Sequence, residues 1–158
     1  MPQGGQSNRT GSGRQFHDAG SGRLPQQASN VSVPVNRIVF GDIDPMLYSE
    51  IAKEAAKAVE GAGRDQNKPT QLRRFYDELV ALQAKVSDQK SFDEHLPFIQ
   101  MLKAKVAYAK GRQKVDDQFV ALLNRVIDQA RDPRALKQTR LFMEAFMAFY
   151  KIHGPREG

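Results

Sequence analysis

The sequence predicts an all-α protein, a small bundle of about five helices preceded by a disordered N-terminal tail. Three observations carry that reading. Apolar residues recur every three or four positions over five successive segments, which gathers them on one face of a helix with 3.6 residues per turn. Several of these segments open on a capping residue and close on Gly, the usual helix start and stop signals. No segment alternates polar and apolar residues with period two for long, so no strand is expected.

Residues 1–41 form the tail. Up to about Asn36 they are built from Gly, Ser, Gln, Asn, Arg and Pro without periodicity, too polar to offset the entropy of ordering a chain. Two short repeats, Gly11-Ser12-Gly13-Arg14 and Gly20-Ser21-Gly22-Arg23, suit either a solvated tail or an Arg-bearing arm that slides along phosphate. Val35, Ile38, Val39 and Phe40 form a short apolar patch, expected to dock in strand-like form on the domain or on a neighbour.

The helical domain is placed at residues 42–154, with 155–158 as a short C-terminal tail. Asp44-Pro45 starts the first helix, since Asp can accept from the free N–H groups and Pro is pre-set for the first helical position. That helix runs through Tyr48, Ile51, Ala55 and Val59 to Gly61 and Gly63. Pro69-Thr70 opens a second helix with the stripe Leu72, Phe75, Leu79, Leu82 and Val86. Ser91 and Glu94 read as a capping box for the third, with Pro97 in or near its first turn and Ile99, Leu102, Val106 and Ala109 facing the core. Gly111 marks its end. Asp116 and Asp117 suit the positive end of a fourth helix, whose stripe is Phe119, Leu122, Val126 and Ala130. Asp132-Pro133 starts the fifth, which carries Leu136, Phe142, Met143, Phe146, Phe149 and Tyr150 up to Gly154.

Composition narrows the function. With no Cys in the chain, disulfides, thiolate nucleophiles and Cys-ligated metals are excluded. No apolar run approaches the roughly 20 residues that cross a bilayer, and the first residues lack the apolar stretch of a signal peptide. A cytoplasmic protein without membrane partners is expected. The 24 Lys and Arg outnumber the 18 Asp and Glu, for a formal charge of +6, which favours a polyanionic partner. The absence of Trp and a mean hydropathy of −0.58 argue against a large, self-sufficient core.

Catalysis finds little support. His95 beside Glu94 does not make a converging pair, because adjacent helical residues point about 100° apart. His17 lies in the tail, and His153 in a last helical turn, where a cation favours the carbonyl ends. Asp116-Asp117 is explained by a helix start. No zinc-protease, nucleophile-elbow or phosphate-loop motif occurs. The chain is therefore read as a non-enzyme that needs no metal or cofactor.

The basic residues say more. From Lys103 to Lys114 there are five basic residues and no acidic one. On one continuous helix, Lys103, Lys110 and Lys114 would share a stripe, and Lys105 and Arg112 a second one across the apolar face. Two such stripes could grip two phosphate strands, or a strand and a neighbouring subunit; a plain solvated face is the simpler reading. Arg73 and Arg74 sit in the first turn of the second helix, where a cation opposes the helix dipole. A bound phosphate would offset this, and so would pairing with Asp77 and Glu78 four residues on. Lys137 and Arg140 make a further, smaller basic pair.

Three blocks resemble a known family. They are the run from Thr70 to Leu79 (TQLRRFYDEL), the run from Leu96 to Arg112 (LPFIQMLKAKVAYAKGR), and the run from Phe142 to Lys151 (FMEAFMAFYK). In this order they resemble the small helical subunit of type III-A CRISPR (Csm) effector complexes. The resemblance spans about Pro69 to Gly154 and assigns nothing to residues 1–41. It implies a non-catalytic, multi-copy RNA-binding subunit, stacked as a filament beside the backbone subunits along the crRNA and its complementary target RNA. The large polymerase-like subunit would be a further partner, with cleavage and nucleotide signalling left to other subunits. Arg73, Arg74, Lys103, Lys105, Lys110 and Arg112 would contact the RNA backbone, with Gln71 as a neutral partner. Elementary RNA geometry agrees, since A-form grooves favour contacts to phosphate and 2′-hydroxyls over base reading. The alternative is a protein-interaction scaffold that docks basic stripes on acidic surfaces and exposes part of the Phe142–Tyr150 stripe as a hot spot.

Overall fold

The computed structural model describes residues 31–42, 44–63 and 65–153, together with Gly4. The Gly/Ser/Arg repeats, His17, the Gly154 stop and residues 155–158 lie outside the described residues. Five α-helices form: α1 (Glu50–Glu60), α2 (Pro69–Ala84), α3 (Gln89–Gly111), α4 (Asp117–Gln129) and α5 (Pro133–His153). Two single turns of 3-10 helix, Val35–Arg37 and Pro45–Tyr48, precede them. No strand occurs among the described residues. The chain is all-α, as its periodicity predicts.

Residues 31–41 correct the expected tail boundary. Val33, Ile38 and Phe40 are buried in the core, and the Phe40 ring meets Phe142 edge-on at 5.9 Å. Polar side chains of the domain fix the segment's backbone. The Val33 N–H donates to Gln118 Oε1 at 2.9 Å, Arg125 Nε donates to the Ile38 carbonyl at 2.9 Å, and the Gly41 N–H donates to Gln138 Oε1 at 2.8 Å. The segment docks as expected of its apolar residues, but as a 3-10 turn, with Val39 outside.

The first helix also starts later than its cap suggested. Asp44 accepts from the Met46 N–H and Pro45 follows, yet the turn they launch closes with three-residue steps, Leu47 N–H to Asp44 and Ser49 N–H to Met46. Ser49 then leaves helical space at φ −125°, ψ −90°, and α1 begins at Glu50. Leu47 in the turn and Ile51 in the helix are both buried in the core. Ala52, Ala55, Ala56 and Ala58 are buried on α1, and these small side chains admit the aromatic residues of α5 at close range. That is why a chain with no Trp still builds one continuous core from Val33 to Tyr150, contrary to the compositional expectation.

α3 starts earlier than expected. Asp88 is its N-cap, accepting from the Ser91 N–H at 2.8 Å, while Ser91 Oγ accepts from the Asp88 N–H at 3.0 Å. Ser91 is thus the third helical residue of the capping box and not its cap. Starting at Gln89 brings Phe92 into the core. It also places Pro97 well inside the helix, two turns past its start, where its missing N–H leaves the Asp93 carbonyl without its helical donor. Val86, expected on the stripe of the second helix, lies past the end of α2 and is only half-buried, and Ala130 caps α4 instead of lying within it. Leu72, Phe75, Leu79 and Leu82 on α2, Ile99, Leu102, Val106 and Ala109 on α3, and Phe119, Leu122 and Val126 on α4 are all buried.

A candidate nucleic-acid interface

The end of α3 shapes the site. Gln113, at φ +59°, is the left-handed residue that stops the helix. Its N–H donates to the Lys110 carbonyl, and the Lys114 N–H reaches back to the Ala109 carbonyl, both at 2.9 Å. This is a Schellman closure, with Gln standing where Gly is usual. Gly111 remains inside the helix and Arg112 caps it. Lys114 therefore leaves the stripe it was expected to share with Lys103 and Lys110.

Asn67 locks the returning chain. It too is left-handed, at φ +56°, and it is fully buried. Its N–H donates to the Lys114 carbonyl at 2.9 Å. Its amide nitrogen donates to the Val59 carbonyl at 3.0 Å and to Asp116 Oδ1 at 2.7 Å, while its Oδ1 accepts from the Asp116 N–H at 3.0 Å. The buried Tyr150 hydroxyl donates to the Asn67 carbonyl. Burial, with Asp116 and Glu60 nearby, pushes the Tyr150 pKa far above its ordinary value, so it stays a donor throughout the neutral range.

Between the start of α2 and the end of α3 this arrangement opens a cleft of about 460 Å³. Lys68, Arg74, Lys105, Arg112 and Lys114 line it, with Thr70, Gln71, Phe75, Tyr108 and Ala109; Asp65 is its one carboxylate among the described residues. The first turn of α2 holds no acidic residue and no side-chain cap. Lys68, Arg74, Arg112 and Lys114 have no carboxylate within 4 Å among the described residues, so four of the five cations lining the cleft are without an ion pair there.

The ten residues singled out in the sequence divide among several places. Gln71, Arg74, Lys105, Arg112 and Lys114 come together in the cleft. Arg73 turns to an adjoining groove between α2 and α5, where Arg74 also reaches and where Tyr76, Met147 and Tyr150 lie. Arg73 pairs with Asp77 at 3.7 Å, but Glu78 takes Lys105 instead of Arg74. Lys103 and Lys110 lie on the other edge of α3, paired with Asp128 and Asp117 of α4. The two edges expected to flank the buried face are thus real, without Lys114. Lys137 and Arg140 sit near the start of α5, some 15–20 Å along the helix from Tyr150, and Arg140 pairs with Glu144 at 3.7 Å. They do not join the cleft.

Sequence reasoning missed Lys68 and Tyr108. Lys68 was hidden in a linker, though its place beside Pro69 put it at the mouth of α2. Tyr108 stands three residues after Lys105 and four before Arg112, a spacing that already placed it on their stripe. Two of the residues weighed for catalysis serve structure. His95 Nδ1 donates to the Ser91 carbonyl at 2.7 Å, and Asp116 caps α4 through the Phe119 N–H at 3.0 Å. Among the described residues no group of His, Asp and Glu is placed to hold a metal, and no helix is long and apolar enough to cross a membrane.

The aromatic patch required by the scaffold alternative is not at the surface. Phe142, Phe146 and Tyr150 are buried, and Phe149 is half-buried against the core.

Comparison with curated proteins and with solved structures returns no match. The family model described as Csm2 Type III-A matches residues 45–156, which span all five helices and the whole basic cleft. The chain therefore belongs to the Csm2 type III-A family, the small subunits of type III-A CRISPR complexes.

Proposed function

We propose that this subunit binds the sugar–phosphate backbone of the crRNA and its complementary target RNA, without reading sequence and without catalysing a reaction. Several copies stack as a filament beside the backbone subunits and the large subunit. The observation that carries this reading is the cleft in which Arg74, Arg112 and Lys114 converge, uncompensated, from α2, the end of α3 and the loop after it. Arginine offers bidentate contacts to phosphate and lysine a flexible point charge. Gln71 adds a neutral donor and acceptor suited to a 2′-hydroxyl. Lys105 exchanges Glu78 for phosphate on binding. On the opposite edge Lys103 and Lys110 do the same with Asp128 and Asp117, since exposed ion pairs of this kind are worth about 0–1 kcal/mol. Base pairing then carries specificity, as guide-directed recognition requires. Weak contacts are multiplied along the row of copies, because a head-to-tail interface that does not close into a ring propagates.

The test is the salt dependence of RNA binding by the full chain. Each neutralised phosphate contributes about −0.7 to the log–log slope on single strands. Replacing Arg74, Arg112 and Lys114 together by Gln should flatten the slope by about 2 units. A slope near zero in the unmodified protein would sink the proposal. Assembly of the complex that survives both RNase and these substitutions would favour protein docking instead.

A further inference from the structure

Tyr108 stands on the wall of the cleft with 68% of its surface exposed. It is not part of the buried core, and most of the ring is open to a ligand. Its surroundings say what suits it. Lys105 lies one turn before it and Arg112 one turn after it, about 10 Å apart along the helix, with the Arg112 guanidinium over the ring at 5.7 Å from its centre. Lys68 and Arg74, at the N-cap and in the body of α2, and Lys114, in the loop after α3, close the cleft. The carboxylates facing this wall are Asp65 and Glu78, and Glu78 is taken up by Lys105. An aromatic ring set among cations binds a planar group attached to a polyanion. The ring meets the base, and the cations on both sides meet the phosphates.

Resting on the RNA-binding reading above, we propose that Tyr108 is a stacking platform for one unpaired RNA base, so that the cleft prefers single-stranded RNA to a regular duplex. In a continuous A-form helix the bases are held inside the stack, and only phosphates and 2′-hydroxyls are offered to the protein. An unpaired nucleotide can place its base on the ring while its neighbours' phosphates sit on Lys105 and Arg112. Every base has a π-face, so the contact adds affinity without sequence preference.

The experiment measures binding of the full chain at about 50 mM salt to three labelled probes: short oligouridine, an abasic strand of equal length, and an RNA duplex. Tyr108→Ala should weaken oligouridine binding by about 5- to 150-fold, the range for one base–aromatic stack. It should leave the abasic strand and the duplex unchanged, while Tyr108→Phe should keep the affinity of the unmodified protein. Phe98→Ala, which removes an exposed ring on α3 outside the cleft, should have no effect on any probe. Arg112→Gln should weaken all three. If Tyr108→Ala binds oligouridine normally while Arg112→Gln does not, the stacking role is overturned and backbone binding stands. Equal affinity of the unmodified protein for oligouridine and the abasic strand overturns it too. If the unmodified protein binds none of the probes, both readings fall together.

Discussion

Replacing Asn67 removes three side-chain hydrogen bonds at the point where the ends of α1 and α3 meet the starts of α2 and α4. Two of them, to the Val59 carbonyl and from the Asp116 N–H, join neutral groups at 3.0 Å and are each worth about 1 kcal/mol net. The third donates to the Asp116 carboxylate at 2.7 Å, and a bond to a charged group is worth about 2 kcal/mol. Asp116 is half-buried, so water recovers part of the sum, and about 3 kcal/mol is the expected loss. The backbone adds a second effect, because Asn67 holds φ at +56°. Alanine there meets a left-handed penalty of about 1–2 kcal/mol, which Gly avoids at about 0.5–1 kcal/mol of extra chain entropy. Asn67→Gly should therefore cost about 3.5–4 kcal/mol and Asn67→Ala about 4–5 kcal/mol. Urea unfolding followed by far-UV circular dichroism reads both, as a shift of midpoint at unchanged slope. A loss below about 1 kcal/mol for either variant, or an Ala variant more stable than the Gly variant, would refute the reasoning.

Three further outcomes follow from other parts of the fold. The Ser91 hydrogen bonds, backbone first, hold the Asp88 carboxyl below its ordinary 3.8. A depressed carboxylate adds stability above its unfolded pKa and loses it as pH falls through the folded one, so acid titration of helicity should show a loss beginning near 3.8 and continuing below it that Asp88→Asn lacks. Phe119 is fully buried between Phe75 at 5.6 Å and Phe146 at 6.4 Å, and Phe119→Ala should cost about 3–5 kcal/mol in the same urea assay. Ile38 precedes the first α-helix yet is fully buried. Ile38→Ala should cost about 2–4 kcal/mol, whereas no change in the midpoint would mean that the segment does not pack.

What was legible in the sequence was local. The stripes of α2, α4 and α5 and the caps at Asp116 and Asp132 could be placed because each signal lies within a few residues of the structure it specifies. Where two local signals competed, tertiary burial decided. Asp88 with Ser91, and Ser91 with Glu94, both spell an N-terminal box, and Phe92 reaches the core from the first. At Pro45 a helix start and a 3-10 turn share the same cap, and Ser49, outside helical space, separates the turn from α1. For the site, the run from Lys103 to Lys114 disclosed the charges but not their directions. Lys114 turns away because Gln113 takes a left-handed conformation that Gln does not advertise. The lock at Asn67 depends on Lys114, Asp116 and Tyr150, distant positions whose meeting no local pattern announces.

Pro97 divides α3 into two mechanically unequal parts. Before it, only Phe92 is fully anchored in the core, and the capping box at Asp88 and Ser91 supplies much of the remaining hold. After it, Ile99, Leu102, Val106 and Ala109 pin the helix, Lys103 and Lys110 clasp α4, and the Schellman closure seals the end. The missing hydrogen bond at Pro97 uncouples these halves, so the first turns can fray by local opening without transmitting the motion past the proline. The cleft cations that α3 supplies, Lys105 and Arg112, belong to the quiet side. A neighbouring copy or subunit that seized the front of α3 could reshape it at small energetic cost, and the spacing between Lys105, Tyr108 and Arg112 would stay as it is.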